Sequence, residues 1–260
     1  MYVKANGITF HYKLEGPEGA PWLVFSNSLA TNFSMWDAQA ADLHQSFRVL
    51  RYDQRGHGGT DAPHGRYTYA TLLADALALF DTFGIDRAHF CGLSMGGATA
   101  LGLAALHPDR IDRAVVCDSP AMSTPASAQQ WEERIQAAQE GGMEALVEPT
   151  VTRWFPPEIH AARPSYLDKV REMIRATPVN GFIGCSAALA DHDYNTAVGT
   201  VTRPVLFMAG AKDGVTPAAM QDMSRRLPGS YYVELEGAGH ISNLDRPAEF
   251  TRAVRQFLAA

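Results

Sequence analysis

Cysteine is scarce in this sequence, and the histidines do not occur in metal-binding patterns. The three cysteines, Cys91, Cys117 and Cys185, are far apart and form no C-x-x-C pair. We therefore expect reduced thiols that serve as small hydrophobic residues. The nine histidines include neither H-x-H nor H-E-x-x-H, which disfavours a dedicated metal site.

Long apolar runs and an excess of positive charge are also absent. The uninterrupted apolar stretches are much shorter than the roughly 18 residues of a membrane span. The formal net charge is −6, which argues against nucleic acid or an anionic membrane as a partner. The start of the chain has no charged segment followed by an apolar stretch, so we expect no signal peptide and a cytoplasmic protein.

What is present is typical of a globular enzyme. Hydrophobic residues make up 46% and charged residues 19% of the 260 positions, enough for one large α/β domain with a buried core. An Asn-Gly pair at residues 6–7 predicts a hairpin between strands at 3–5 and 8–14. Residues 22–25 and 49–52 are short apolar segments that predict strands covered on both sides. Residues 114–117 predict another buried strand, and strand character resumes at residues 204–210 and 231–235.

Helical patterns alternate with these strands. Residues 35–46 are helix-like, and a second helical pattern ends at Gly84, a typical helix terminator. Thr216 is predicted as the N-cap of a helix that has Pro217 at its first position, and Pro247 opens the last helix. Such alternation predicts a doubly wound, mostly parallel α/β sheet.

The middle of the chain differs from both ends. Residues 121–196 contain no convincing strand and are instead predicted as several short helices separated by glycines and prolines. We therefore predict a helical cap at 121–196, inserted after the sixth strand of a core formed by residues 1–120 and 197–260.

Residues 92–96 read Gly-Leu-Ser-Met-Gly, and they lie between a predicted strand and a helix-forming stretch. A G-x-S-x-G sequence in this context predicts a sharp turn that exposes the Ser94 hydroxyl, with glycines where the strand and the helix pack too closely for a Cβ. Serine is a weak nucleophile at neutral pH, so this placement requires a nearby base.

The base and its orienting acid are expected after later strands. His240 lies in a glycine-rich loop just past the last predicted strand, and Asp213 follows the strand at 204–210. Loops at the carboxyl ends of parallel strands meet at one edge of the sheet, where Ser94 also emerges. We predict Ser94, His240 and Asp213 as nucleophile, base and acid. Asp118, at the end of the preceding strand, is the alternative acid.

An acyl-transfer site also needs backbone N–H groups where negative charge develops on the reacting carbonyl oxygen. The amide of Met95 is one candidate, because it begins the helix after Ser94 and the helix dipole favours an anion there. The loop after the strand at 22–25 should supply the other, and Leu29 is our choice.

Together these features resemble the α/β-hydrolase superfamily over nearly the full chain. Residues 53–58 read Asp-Gln-Arg-Gly-His-Gly, similar to the D-x-R-G-x-G turn of that superfamily, whereas residues 27–28 are Asn-Ser where many members have His-Gly. With residues 90–97, 153–155 and 240–243, this departure resembles the 3-oxoadipate enol-lactonases of aromatic degradation. The resemblance implies cofactor-free hydrolysis of a small acidic enol-lactone through an acyl-serine.

An acidic substrate needs a receptor for its free carboxylate. Trp131 and Arg134 are three positions apart on the first predicted cap helix and share a face. A guanidinium can hold a carboxylate with two hydrogen bonds, and an indole N–H can add a third. We predict this pair as the substrate-binding residues; Arg153, beside Trp154, is the competing choice.

Other functions remain open from the sequence. The main alternative is a carboxylesterase with a different or broad ester specificity, and a cofactor-free haloperoxidase or perhydrolase activity could accompany the same residues. A small-molecule receptor on a hydrolase scaffold is a third hypothesis. Haloalkane dehalogenases and epoxide hydrolases are disfavoured because they carry Asp in place of Ser94. Cap faces and sheet edges both serve as interfaces in such folds, so a homo-oligomer is also left open.

Overall fold

A computed structural model describes residues 1–260 and contains one eight-stranded sheet. The strands are β1 (Tyr2–Ala5), β2 (Ile8–Glu15), β3 (Trp22–Ser26), β4 (Arg48–Tyr52), β5 (Ala88–Leu93), β6 (Ile111–Cys117), β7 (Val205–Gly210) and β8 (Tyr231–Leu235). Their order is β1-β2-β4-β3-β5-β6-β7-β8. β2 is antiparallel to both of its neighbours, β1 and β4, and the six strands β3 to β8 are parallel to one another. The predicted mostly parallel sheet is confirmed.

Eleven α-helices accompany the sheet. They are α1 (Asp37–Leu43), α2 (Tyr69–Thr82), α3 (Met95–Leu106), α4 (Pro125–Gly141), α5 (Glu144–Trp154), α6 (Pro157–Ala162), α7 (Tyr166–Ala176), α8 (Val179–Asp191), α9 (Thr216–Arg226), α10 (Ser242–Asp245) and α11 (Pro247–Ala259). No helix is both long enough and apolar enough to cross a membrane.

The local sequence explains where the central strands lie. Every residue of β5 and β7 is buried, as expected for strands covered by helices on both faces. The β1–β2 hairpin turns at Asn6 and Gly7, which both have positive φ (42° and 78°), the requirement of a tight two-residue turn that matches the twist of the strands. The three cysteines are buried and unpaired.

Two predicted helix boundaries were wrong. The helix expected over residues 35–46 is a 3₁₀ turn, Phe33–Trp36, followed by α1. The Asn32 side chain accepts the Ser34 N–H at 3.0 Å and so starts the 3₁₀ turn earlier. Thr216 is the first residue of α9 and not its N-cap, because its N–H already donates to the Asp213 carbonyl at 3.0 Å.

Helices α4 to α8 lie between β6 and β7, and their two ends are fastened together. Met122 and Asp193 form an isolated antiparallel bridge, the Ser123 N–H donates to the His192 carbonyl, and the Tyr194 N–H donates to the Ala121 carbonyl. Apart from this bridge, residues 121–196 contain no β-structure. The division of the chain into a core and a cap at these residues remains our prediction.

The topology collects five loops at one edge of the sheet. Leu29, Ser94, Asp118, Asp213 and His240 follow β3, β5, β6, β7 and β8 respectively. All five strands are parallel and adjacent, so their carboxyl ends meet at this edge.

Candidate active site

Ser94 occupies a sharp turn between β5 and α3. Its backbone has φ 56° and ψ −113°, a strained conformation for a residue with a side chain. The Ser94 N–H donates to the Cys117 carbonyl at 2.8 Å, which holds the turn against β6. A Cβ on Gly92 would collide with the carbonyl of Gly96, and one on Gly96 with the carbonyl of Ser26. The two glycines are therefore required by this packing.

His240 links Ser94 to Asp213. Its Nε2 lies 2.9 Å from Ser94 Oγ, and its Nδ1 lies 2.8 Å from Asp213 Oδ2. Because a carboxylate only accepts, Nδ1 carries a proton and Nε2 is free to accept from the serine hydroxyl. Burial alone would raise the pKa of Asp213, but the facing His240 lowers it below its ordinary value. An ionised acid, an oriented imidazole and a hydroxyl therefore form one chain of hydrogen bonds.

Asp118, the alternative acid, makes different contacts. It is fully buried, accepts the Gly210 N–H at 2.7 Å and also accepts the Ser242 hydroxyl. Burial and the nearby charge of Asp213 raise its pKa well above the ordinary range. Asp118 does not contact the imidazole, so the geometry favours Asp213 as the partner of His240.

Leu29 lies in the loop after β3, and Met95 begins α3, the helix that follows the neighbouring strand β5. Ser26, the last residue of β3, pairs with Gly92 of β5, and this register brings residues 27–30 beside the start of α3. The Leu29 N–H donates no hydrogen bond within the protein. Met95 is the first residue of α3, a position whose N–H has no acceptor inside the helix. Both amides are thus available to an external acceptor.

Trp154, the last residue of α5, packs directly on His240. The His240 backbone N–H donates to the Trp154 carbonyl at 2.7 Å. The indole and imidazole rings are stacked, with centroids 6.0 Å apart and planes inclined by 26°. A Cβ on Gly239 would collide with the same Trp154 carbonyl. Sequence reasoning did not identify this contact, because nothing in the local pattern shows how the end of α5 packs.

A cavity of about 190 Å³ opens above Ser94 and His240. Trp131, Arg134 and Arg153 all line it. The Arg134 guanidinium lies 4.5 Å from the centre of the Trp131 ring, and that of Arg153 lies 5.9 Å from the same ring. The structure therefore brings together the arginine that the sequence favoured and its competitor.

Neither of these arginines has a carboxylate partner. No ion pair or side-chain hydrogen bond involves Arg134 or Arg153, although most other arginines are paired. Restricted hydration lowers the pKa of both guanidiniums, and the charge of Arg134 lowers that of Arg153 further. Asp213 and Glu133 act in the opposite direction on the pKa of Arg153 and Arg134 respectively, but neither forms an ion pair with them. Arginine stays protonated in proteins, so the cavity presents two guanidiniums without a direct carboxylate partner to an incoming anion.

Most of the remaining cavity wall is polar. It includes Ser123, Ser127, Gln130 and His192, none of which was identified from the sequence. His192 follows α8 and its Nδ1 donates to the Leu189 carbonyl at 2.8 Å. These side chains come from the two ends of the segment between β6 and β7, which meet only in the folded protein.

The chain is similar to known hydrolases in sequence and in fold. A family model described as the alpha/beta hydrolase fold matches residues 21–247. The chain is 36% identical to 3-oxoadipate enol-lactonase 2 of Acinetobacter baylyi, covering 96% of this chain and 93% of the relative. It is 33% identical to 3-oxoadipate enol-lactonase 1 of the same organism, covering 99% and 96%.

A solved structure, the enol-lactonase from Burkholderia xenovorans LB400, is similar over 100% of both chains, with 40% identity and a TM-score of 0.96. The chain belongs to the α/β-hydrolase family. The resemblance to enol-lactonases expected from the sequence is confirmed.

Proposed function

We propose that this protein is a carboxylic-ester hydrolase that opens 3-oxoadipate enol-lactone to 3-oxoadipate during the degradation of aromatic compounds. One observation carries the proposal: the hydrogen-bonded chain Ser94–His240–Asp213 and two unpaired guanidiniums share a single small cavity. The first group suits acyl transfer, and the second suits a substrate with a free carboxylate.

In the first half-reaction, Ser94 Oγ attacks the lactone carbonyl while His240 Nε2 takes the hydroxyl proton. Asp213 holds the imidazole in the required tautomer and stabilises the imidazolium. The carbonyl oxygen becomes an oxyanion, which the Leu29 and Met95 amides stabilise. The ring C–O bond then breaks, the enolate oxygen receives the proton from His240, and the enol tautomerises to a ketone.

The second half-reaction regenerates the enzyme. Water attacks the acyl-serine carbonyl and gives a proton to His240, which returns it to Ser94 Oγ as the acyl–oxygen bond breaks. An enolate leaves more readily than an alkoxide, so the first step places modest demands on the acid. Recognition of the substrate carboxylate then becomes the main source of specificity.

Arg134 and Arg153, which both lie near the Trp131 ring, are proposed to bind that carboxylate. An anion would relieve the mutual repulsion of the two guanidiniums, and each could donate two hydrogen bonds. Both arginines come from α4 and α5, within residues 121–196 that we propose as the cap over a core of residues 1–120 and 197–260. The substrate would thus be held from the cap while the core carries out the chemistry.

The composition of the cavity distinguishes this proposal from a broad carboxylesterase. Only three of its sixteen lining residues are hydrophobic, whereas sites for apolar acyl or alcohol groups are lined mainly by hydrophobic side chains. A receptor without turnover would have no need for the oriented Ser94–His240–Asp213 chain. A cytoplasmic location is a further expectation, and association into a homo-oligomer is left open.

A matched pair of lactones tests the proposal. The acidic enol-lactone carries a carboxymethyl group where 5-methylfuran-2(3H)-one carries a methyl group, so the two share the same scissile bond. A charge-assisted contact contributes roughly 1.5–3 kcal/mol, so we expect kcat/KM about ten- to a hundredfold higher for the acidic lactone. It should also exceed that for p-nitrophenyl acetate. Equal values for the two lactones would instead indicate a carboxylesterase of broad specificity.

A further inference from the structure

We propose that His57 is a positioning residue that fixes the loop after β3, so that the Leu29 amide remains available to the reacting carbonyl oxygen. The inference rests on the proposed function of that amide. His57 lies in the Asp-Gln-Arg-Gly-His-Gly turn, is fully buried, and does not line the cavity. Its effect on the reaction would therefore be transmitted through the loop.

The hydrogen bonds of His57 define its tautomer. The backbone N–H of Ala30 donates to Nε2 at 2.9 Å, so this nitrogen must be unprotonated. Nδ1 then carries the proton and donates to the Arg55 carbonyl at 3.1 Å. Burial lowers the pKa of His57 to about 4, and the ring therefore stays a neutral acceptor at physiological pH.

The backbone of Ala30 is strained, and its hydrogen bond to His57 helps to hold it. Its φ is 58°, a left-handed conformation that is disfavoured for a residue with a Cβ. The bond to His57 fixes the peptide plane that joins Leu29 to Ala30. The next peptide upstream carries the Leu29 N–H, which has no partner in the protein.

The same turn holds the loop at a second point. The Gln54 N–H donates to Asn27 Oδ1 at 3.0 Å, and Gln54 Nε2 donates to the Asn27 carbonyl at 2.7 Å. Leu29 thus lies between two fixed points, Asn27 on one side and Ala30 on the other. A preorganised donor of this kind stabilises developing charge without having to reorganise during the reaction.

Two amide variants separate the two hydrogen bonds of His57. In His57→Asn, the amide can occupy the place of Nδ1 and still donate to Arg55, but it cannot reach Ala30. In His57→Gln, the amide oxygen can occupy the place of Nε2 and accept the Ala30 N–H. Loss of one oxyanion donor costs about 10²–10³ in rate, so partial displacement should lower kcat of His57→Asn about ten- to a hundredfold. His57→Gln should retain most of the activity.

The Michaelis constant and a third substitution supply readouts that loss of packing would not give. KM for the acidic lactone should change less than about twofold, because Arg134 and Arg153 are untouched. His57→Asn should lower kcat less in the Ala30→Gly protein than in the wild type, because glycine adopts positive φ without the steric cost. Melting temperatures and circular dichroism of each variant establish that it is folded.

Equal kcat values for His57→Asn and His57→Gln would overturn the proposal, and so would a loss that Ala30→Gly does not relieve. The comparison uses any ester that the wild-type protein hydrolyses, including p-nitrophenyl acetate. Its outcome is therefore independent of the proposed lactone specificity, which is tested by comparing two lactones on the wild-type protein alone.

Discussion

The backbone carbonyl of Trp154 accepts the N–H of His240 at 2.7 Å, and its indole lies against the imidazole with a 6.0 Å separation of ring centroids. The preceding residue, Arg153, reaches into the cavity from the same helix end. One turn of α5 therefore contacts the proposed base and also contributes to the proposed carboxylate receptor. Substitutions at these neighbouring positions should affect different kinetic quantities.

Trp154→Leu should lower kcat by about three- to tenfold, because an aromatic pair contributes roughly 0.5–1.5 kcal/mol beyond its buried area. Trp154→Phe keeps an aromatic face and should lose less. Both substrates of the matched lactone pair should be affected equally, since His240 serves both, and steady-state kinetics on each measures this. A loss confined to the acidic lactone would mean that Trp154 acts in carboxylate binding.

Asp213→Asn should lower kcat by orders of magnitude, because an amide favours the wrong imidazole tautomer at His240. Asp118→Asn is its matched control. An amide there keeps an oxygen that can accept the Gly210 N–H and places an NH₂ against the Ser242 hydroxyl, which can turn to accept it. Activity should therefore stay within about tenfold of wild type. If Asp118→Asn were inactive and Asp213→Asn nearly normal, the acid would be Asp118.

Arg134→Ala should lower kcat/KM for the acidic lactone about ten- to a hundredfold, as expected for loss of a charge-assisted contact. Its effect on 5-methylfuran-2(3H)-one should be small, because that lactone has no carboxylate. Arg153→Ala is expected to behave in the same way. Equal losses on both lactones would make Arg134 structural, and an unchanged rate on the acidic lactone would assign carboxylate binding to Arg153.

The matched control for the arginines is Arg66→Ala. Arg66 forms an exposed ion pair with Glu132 of α4 and does not line the cavity. Exposed pairs of this kind contribute little to stability, so both lactones should be hydrolysed at nearly wild-type rates. If Arg66→Ala lost activity on the acidic lactone alone, removal of any positive charge near α4 would be enough to explain the effect of Arg134→Ala.

His57 should make the folded protein less stable in acid. Its pKa falls from 6.5 in the unfolded chain to about 4 in the fold, so below pH 6.5 the unfolded state binds a proton that the native state does not. The free energy of unfolding should therefore fall by up to roughly 3 kcal/mol between pH 6.5 and 4.

Urea unfolding of wild type and His57→Gln across this pH range isolates that effect. Burial also lowers the pKa of His89 and His192, but their contributions are common to both proteins and cancel. The variant should lose stability less steeply as pH falls. Parallel curves would mean that the pKa of His57 is nearly the same in the native and unfolded states, which contradicts its proposed dry, neutral environment.

Much of the site could be predicted from the sequence because topology constrains it. Apolar strands and chain order place Ser94, Asp213 and His240 after neighbouring parallel strands, and such loops must meet at one edge. The structure brings these three residues together. The sequence favoured Arg134 over Arg153, whereas the structure places both at the cavity. That they share it depends on how α4 and α5 pack, which neither helix shows alone.

The missed features arise from tertiary contacts or from local hydrogen bonds that periodicity does not show. The stack of Trp154 on His240 joins residues from different segments. The Asn32 side chain converts the start of a predicted helix into a 3₁₀ turn, and the bond between Thr216 and Asp213 moves a predicted cap by one position. Helix ends are decided by such single bonds, whereas periodicity locates only the helix body.

A rapid-quench experiment with enzyme in excess over the acidic enol-lactone, followed by peptide mass spectrometry, tests the proposed acyl-serine most directly. In a lactone the leaving oxygen stays tethered to the acyl group, so the Ser94 peptide should transiently gain the mass of the whole substrate. Ser94→Ala should form no adduct and no 3-oxoadipate. Hydrolysis of the lactone by Ser94→Ala at a rate near that of the wild type would contradict the proposed mechanism.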